Sequence, residues 1–347
     1  MKKALLIAPL AVLALASCNK MDDPKVNPQI QNEMSFVAMN KVTKGYTLGS
    51  TFNDCAYENI HKGQEAVDRT MQISSYLYPQ NGEQGNYFVD KTYAKGTSSW
   101  WWNIDPKTEE HDPIYWPVGG TLDFLAYSLS AEKSTVKNVD VIWNSENAAS
   151  QVVLDVPGEN TQNDILFASA YGIKSPSSHK PVDMTFNHAQ AWIEFVLTGS
   201  LTDETSPLGK DEPIVKLKRI ELENVYNAGV LTINNNKGNA TATWDFSAET
   251  KKNIEVDNMY SVKELYNVAQ YLDMLIPQQK KTAFVIYYTL GNDDQELSYR
   301  FTTDLKTWLM GEKYVYKINI TTSEVTVAPS VMEWTRVLET EDPTIIY

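Results

Sequence analysis

The stretch that most limits the folds open to this chain is residues 181–197, PVDMTFNHAQAWIEFVL. Apolar side chains occupy alternate positions twice over. Val182, Met184 and Phe186 come first, then Ile193, Phe195 and Leu197, with Trp192, Glu194 and Val196 on the opposite face. A period of two places successive side chains on opposite faces of a strand, whereas a helix of 3.6 residues per turn cannot bury such a set together. Between the two runs lies a short, mostly polar break, Asn187-His188-Ala189-Gln190. The stretch reads as a pair of strands, the first leaving one β unit and the second founding another.

The same period recurs along the chain. Residues 33–42 place Met34, Phe36 and Ala38 on one face, and residues 70–78, 87–93, 122–127, 139–143, 149–156 and 164–170 follow as strand candidates. In residues 214–222 the apolar members are split, with Ile214, Ile220 and Leu222 on one face and Val215 and Leu217 on the other. That split predicts an edge position or a bulge. Residues 229–233 and 241–246 flank an Asn/Gly turn and predict a hairpin. Further strands are expected at 274–276, 282–290, 297–302 and 314–321, and residues 262–271 are the one predicted short helix or irregular excursion. The 19 Tyr, 9 Trp and 10 Phe favour strands as well. So many strands with almost no helical periodicity predict an all-β protein of two β-sandwiches, residues 33–180 and 181–347.

The N-terminus predicts export. Residues 1–17 carry two lysines, an apolar run and then small residues, the pattern of a secretory signal peptide. Leu15-Ala16-Ser17-Cys18 resembles a bacterial lipobox, which would make a lipidated Cys18 the first mature residue and anchor it in outer-membrane lipid. Residues 18–32, with Pro24 and Pro28, then read as a tether. Cys55 is left without a partner in the chain and is expected to be a small buried residue.

The net charge of −14 disfavours nucleic acid as a partner. His61, His111, His179 and His188 are scattered without metal-ligand spacing, so neither metal nor cofactor is expected. No nucleophile elbow, phosphate loop or dinucleotide fingerprint is present. The carboxylate pairs Asp22/Asp23, Glu109/Glu110 and Asp293/Asp294 are adjacent in sequence, so on a strand each pair would point to opposite faces. They read as solvated turn residues, and the chain as non-enzymatic, with a hydrolase built from distant carboxylates as the minor alternative. Trp100, Trp101 and Trp102 suit either the filling of a β core or a sugar-stacking platform.

Several stretches, taken in chain order, resemble the fimbrillin family of Bacteroidetes, the subunits and tip proteins of protease-matured pili. They are the lipobox at Cys18; the strand at 34–39 followed by Thr43-Lys44-Gly45; Tyr115-Trp116-Pro117 with residues 122–127; residues 164–168; Val182, Met184, Phe186, His188 and Ala189; Gly311 with Tyr314 and Tyr316; and Met332-Glu333-Trp334. The resemblance implies two transthyretin-like β-sandwich domains in tandem and a lipoprotein precursor carried to the cell surface. It further implies that cleavage after a basic residue releases the first strand, and that a C-terminal segment of another subunit fills the groove. Carried onto this chain, the removable strand is residues 33–42 and the cut falls between Lys44 and Gly45, where the family usually has arginine. The donor segment is 325–337, anchored by Val325, Val327, Val331 and Trp334. Partners would be other fimbrial subunits, in a homo- or hetero-polymer, and a host or bacterial surface ligand. The alternative is a monomeric surface lipoprotein that binds glycans through Trp100, Trp101 and Trp102.

Overall fold

The computed structural model describes residues 32–40, 70–95, 100–129, 139–144, 149–156, 164–176, 180–199, 215–237, 239–246, 251–256, 265, 270–290, 295–304, 306–321 and 324–334. These residues form strands and no helix. In chain order the strands are β1 (Phe36–Asn40), β2 (Met71–Tyr78), β3 (Gly85–Lys95), β4 (Trp101–Asn103), β5 (Thr121–Ser128), β6 (Val139–Asn144), β7 (Ala149–Val156), β8 (Leu166–Ile173), β9 (Val182–His188) and β10 (Gln190–Gly199). There follow β11 (Val215–Tyr226), β12 (Gly229–Asn236), β13 (Asn239–Asp245), β14 (Lys251–Glu255), β15 (Gln270–Pro277), β16 (Gln279–Lys280), β17 (Phe284–Leu290), β18 (Leu297–Phe301), β19 (Thr307–Trp308), β20 (Glu312–Ile320) and β21 (Val325–Glu333). The all-β expectation holds.

The first half closes into a barrel of order β1-β4-β3-β2-β5-β8-β9. Its inward positions alternate as a strand requires: Phe36 and Ala38 on β1, Met71, Ile73 and Leu77 on β2, Leu122, Phe124 and Ala126 on β5, and Val182, Met184 and Phe186 on β9, all in one core. The second half is a sandwich of β15-β10-β20-β21 on β14-β11-β17-β18. Ile193, Phe195 and Leu197 of β10 meet Leu217, Ile220 and Leu222 of β11 and Phe284 and Ile286 of β17 in its core. The polar break at 187–190 is therefore where the chain passes from the barrel to the sandwich. Gln190 holds that corner: its Oε1 accepts from the Ile165 amide at 3.0 Å, and its carbonyl accepts from the Gly311 amide at 2.9 Å.

Strands from both sides of residue 180 share sheets. β9 completes the barrel beside β8 and β1, and the β12–β13 hairpin pairs through β12 with β7, giving a four-stranded sheet β13-β12-β7-β6. Leu231 and Ile233 of that hairpin pack with Leu125, Tyr127 and Phe167 on the outer wall of the barrel. The division at residue 180 therefore stands as a proposal about folding units that are joined by a common sheet.

Of the two forms expected for residues 214–222, an edge or a bulge, the chain takes the bulge. β11, which begins at Val215, is not an edge strand, because it is paired with β14 on one side and β17 on the other. The bulge is real: the register with β17 shifts between Leu217 and Arg219. That extra residue brings Val215, Leu217, Ile220 and Leu222 onto one buried face, which explains the broken alternation. Of the 262–271 stretch, the described residues are Leu265, which bridges Val215, and Gln270 and Tyr271, which open β15; the rest of that expectation lies outside the described residues.

Candidate functional site

β1 sits unusually in its barrel. Among the described residues it runs parallel to β9 over five residue pairs, from Phe36↔Val182 to Asn40↔Phe186, but meets β4 only at Phe36↔Trp101. Its sequence explains its hold on the core. Met34, Phe36 and Ala38 lie at i, i+2 and i+4, and all three are buried. Phe36 stands edge-on to Tyr93 at 4.9 Å and to Phe124 at 5.2 Å. Burial of a side chain of this size stabilises by about 1.5–3 kcal/mol. β1 is thus a plug, anchored by side chains more than by a double backbone ladder.

The segment just before β1 is fastened separately. The Met34 amide donates to the Ile114 carbonyl at 2.7 Å, and the Trp116 amide donates to the Asn32 carbonyl at 3.0 Å. Glu33 bridges Tyr115, and its carboxylate pairs with His111. Burial, and then the nearby Glu33 carboxylate, push the Tyr93 phenol well above the usual tyrosine range, so it stays neutral beside Phe36.

Toward the other end of the chain, among the described residues, β21 is the outer strand of its sheet and pairs only with β20. Pro329 lies opposite Tyr316, and a residue with no N–H is tolerated in a strand at the edge of a sheet. The four expected anchors separate. Val325 and Val327 pack against the sandwich core, whereas Val331 is 53% exposed. Trp334 has the opposite parity and is buried on the other face of the sheet with Trp192 and Leu275. Its ring stacks on His188 at 3.7 Å and 11°.

That stack belongs to a polar cluster that sequence reasoning missed. His188 Nδ1 lies 2.9 Å from Asp164 Oδ1, both side chains being buried. Nearby, Lys313 Nζ donates to Glu194 Oε2 at 2.7 Å and sits 3.7 Å over the Trp192 ring. The sequence signal was Glu194 and Lys313 breaking the apolar rhythm of adjacent strands, but their pairing depends on a parallel register across some 120 residues. Trp334 covers the His188 ring, so the histidine–aspartate pair reads as a structural staple. Among the described residues, no group of three His, Cys, Asp or Glu could hold a metal ion.

The tryptophan triplet is divided by strand alternation. Trp101 points into the barrel core, 2% exposed. Trp100 and Trp102 share the outer face, half-buried, with ring centroids 5.9 Å apart, and Trp102 also meets the edge of His111 at 5.9 Å. Any ligand contact by the triplet thus falls to Trp100 and Trp102. Cys18, Cys55, Lys44 and Gly45 lie outside the described residues.

Comparison with known proteins agrees with this architecture. A family model described as Fimbrillin-like matches residues 62–334. Among solved structures, a candidate cell adhesion protein from Bacteroides ovatus ATCC 8483 superposes with a TM-score of 0.53 at 12% identity, covering 89% of this chain and 99% of that one. Another, from Bacteroides uniformis ATCC 8492, superposes with a TM-score of 0.50 at 20% identity, covering 87% of this chain and 98% of that one. At these identities the likeness speaks for the fold. No curated protein matches the chain. The family match spans the barrel from β2 onward, the shared sheet and the whole sandwich, and on that extent the chain belongs to the fimbrillin-like family.

Proposed function

We propose that this protein is a non-enzymatic fimbrial subunit or tip protein, exported as a lipoprotein through Cys18 and assembled by strand exchange. Membership in the fimbrillin-like family supports a place in a fimbrium at the cell surface, among other fimbrial subunits. The observation that carries the exchange step is the pairing of β1: five parallel pairs with β9, one pair with β4, and alternate side chains in the core. Loss of such a strand leaves a groove with an open β9 edge and vacated positions for Met34, Phe36 and Ala38. An incoming strand would satisfy the backbone of β9 and insert alternate side chains, which is β-augmentation. Until β1 leaves, that edge is covered, and premature edge-to-edge association is blocked.

In this reading the cut falls after Lys44, and the donor is the 325–337 segment of another subunit, with Val325 and Val327 as its first anchors. The test is limited digestion with a lysine-specific protease, followed by N-terminal sequencing and native-size analysis, beside Lys44→Ala. The expected result is selective cleavage after Lys44 and denaturant-resistant oligomers that Lys44→Ala does not form. A chain cut at Lys44 that stays monomeric would sink the self-assembling reading. It would leave a monomeric surface lipoprotein, with Trp100 and Trp102 as its candidate glycan contacts.

A further inference from the structure

The turn that joins β2 to β3 reads Pro79-Gln80-Asn81-Gly82-Glu83-Gln84, and it holds the one Asn-Gly pair in the 347 residues. An asparagine followed by glycine carries both partners of a cyclisation. The side-chain amide carbon of the first and the backbone nitrogen of the second close a five-membered ring whenever the nitrogen can approach. Glycine, with no Cβ, hinders that approach least.

The fold leaves this pair open. Asn81, Gly82, Glu83 and Gln84 are all exposed. Gly82 has φ +109°, a conformation that favours glycine, and no atom lies within 4 Å of where its Cβ would stand. Among the described residues, no hydrogen bond ties down the Asn81 side chain or the Gly82 amide. The other half of the turn is clamped. Gly120 packs so closely that a Cβ there would fall 2.4 Å from the Tyr78 carbonyl oxygen and 2.8 Å from Pro79 Cα, and one on Gly119 would fall 3.4 Å from Gln80 Oε1. Residues 78–80 are thus held, and residues 81–84 are open to water.

The turn lies at the end of the barrel away from the sandwich. Tyr78 lies opposite Thr121, and Leu122 lies opposite Ile173 at the end of β8. The passage from β9 into β10 is at the other end of β8, where Leu166 lies opposite His188.

We propose that Asn81-Gly82 is a self-modification site, at which the folded protein converts Asn81 to aspartate and isoaspartate without an enzyme. The Gly82 nitrogen attacks Asn81 Cγ and closes a succinimide. The side-chain nitrogen leaves as ammonia, taking the proton that Gly82 gives up. Water then opens the ring. Attack at the side-chain carbonyl restores the normal main chain with an aspartate at position 81. Attack at the main-chain carbonyl gives isoaspartate, in which the chain runs through the side-chain carbons and is one backbone atom longer. Either way one water is consumed and one ammonia released, and a new carboxylate stands beside Glu83 on a chain already at −14. Because residues 81–84 lie outside the clamp, the extra atom is taken up there, and the β2–β3 ladder from Leu77↔Gly85 inward persists.

The site is independent of strand exchange, since β1 pairs with β4 and β9 and the chemistry needs no cleavage at Lys44. The test is mass-spectrometric peptide mapping of the purified full chain, held folded in mildly alkaline buffer and, in parallel, unfolded in urea. Trypsin cuts after Arg69 and Lys91 place Asn81 and Asn86 in one peptide. Asn86 is also exposed but is followed by Tyr87, so it serves as an internal control. The expected result is a gain of one mass unit at Asn81 of the folded chain, in two chromatographically separate products, one of them a substrate for isoaspartyl methyltransferase. Its rate should lie within about tenfold of that in urea, as suits an unrestrained turn, while Asn86 stays unchanged. Asn81→Gln, which would need a six-membered ring, and Gly82→Ala, which puts a Cβ on the attacking residue, should each slow it about tenfold or more. Asn81→Gln keeps Gly82 and its φ, and so guards against a strained backbone as the cause. No conversion in the folded chain overturns the proposal, and conversion in urea alone would trace the protection to the fold. Conversion of Asn86 as fast as Asn81, or a rate that neither variant slows, overturns it as well.

Discussion

Replacing Phe36 by alanine removes the largest side chain that β1 contributes to the barrel. The ring is wholly buried and lies edge-on to Tyr93 at 4.9 Å and Phe124 at 5.2 Å, so its loss leaves a cavity lined by rings that cannot readily collapse. Truncations of this kind cost about 3–5 kcal/mol. At about 1.4 kcal/mol per decade, local opening of β1 should rise by roughly two to four orders of magnitude. The effect should be confined, because among the described residues those of β1 pack in the barrel core and none belongs to the sandwich core. Hydrogen exchange followed by mass spectrometry reads both halves at once. Amides of β1 and of Val182–His188 should lose protection, while those of β10, β11 and β17 keep theirs. Equal loss in both halves, or a change in β1 opening worth less than about 1 kcal/mol, would refute the picture of β1 as a core-anchored plug.

Lys313→Met should cost about 3–5 kcal/mol in urea unfolding, because it strands the buried Glu194 carboxylate beside Asp273; adding Glu194→Met should recover most of the loss. Gly120→Ala should lower stability by about 2 kcal/mol or more, read as a drop in Tm, since the site combines a positive φ with a backbone contact that admits no Cβ. Asp123→Asn should stabilise the protein at neutral pH. Burial raises the folded carboxyl above its ordinary 3.8, so its favourable contribution is complete below that value and is lost as pH climbs through the folded pKa. The advantage of asparagine should thus be visible in urea midpoints near pH 7.5 and fade toward about pH 3.5.

Local pattern made much of this fold legible. The period of two in residues 33–42 identified Met34, Phe36 and Ala38 as one buried face, and the split apolar set in 214–222 announced the bulge at Lys218. The Asn/Gly turn at 234–239 located the β12–β13 hairpin. What could not be read was which strands meet. A strand's period fixes its buried face but says nothing of its neighbour. The hairpin pairs with β7, some 75 residues earlier, and β1 pairs with β9, some 145 residues later. The same limit hid contacts between distant segments. Asp123 lies in the 122–127 strand candidate, and only the pairing of β5 with β2 and β8 shows that it faces Tyr76 and sits one outward position from Ser169. Likewise, Trp334 was legible as an apolar anchor, but its stack on His188 required the corner between barrel and sandwich. The tryptophan triplet resolved by parity alone: the middle ring went inward and its neighbours outward.

The measurement that bears most directly on the central claim is the hydrogen exchange of the β9 amides, Val182–His188, in three states: intact chain, Lys44-cleaved monomer, and the oligomers formed after cleavage. If β1 is an exchangeable plug, those amides are protected in the intact chain, exposed once β1 has left, and protected again when another subunit's strand fills the groove. Protection that stays constant through all three states would mean that β1 never leaves β9, and strand exchange at this groove would be excluded.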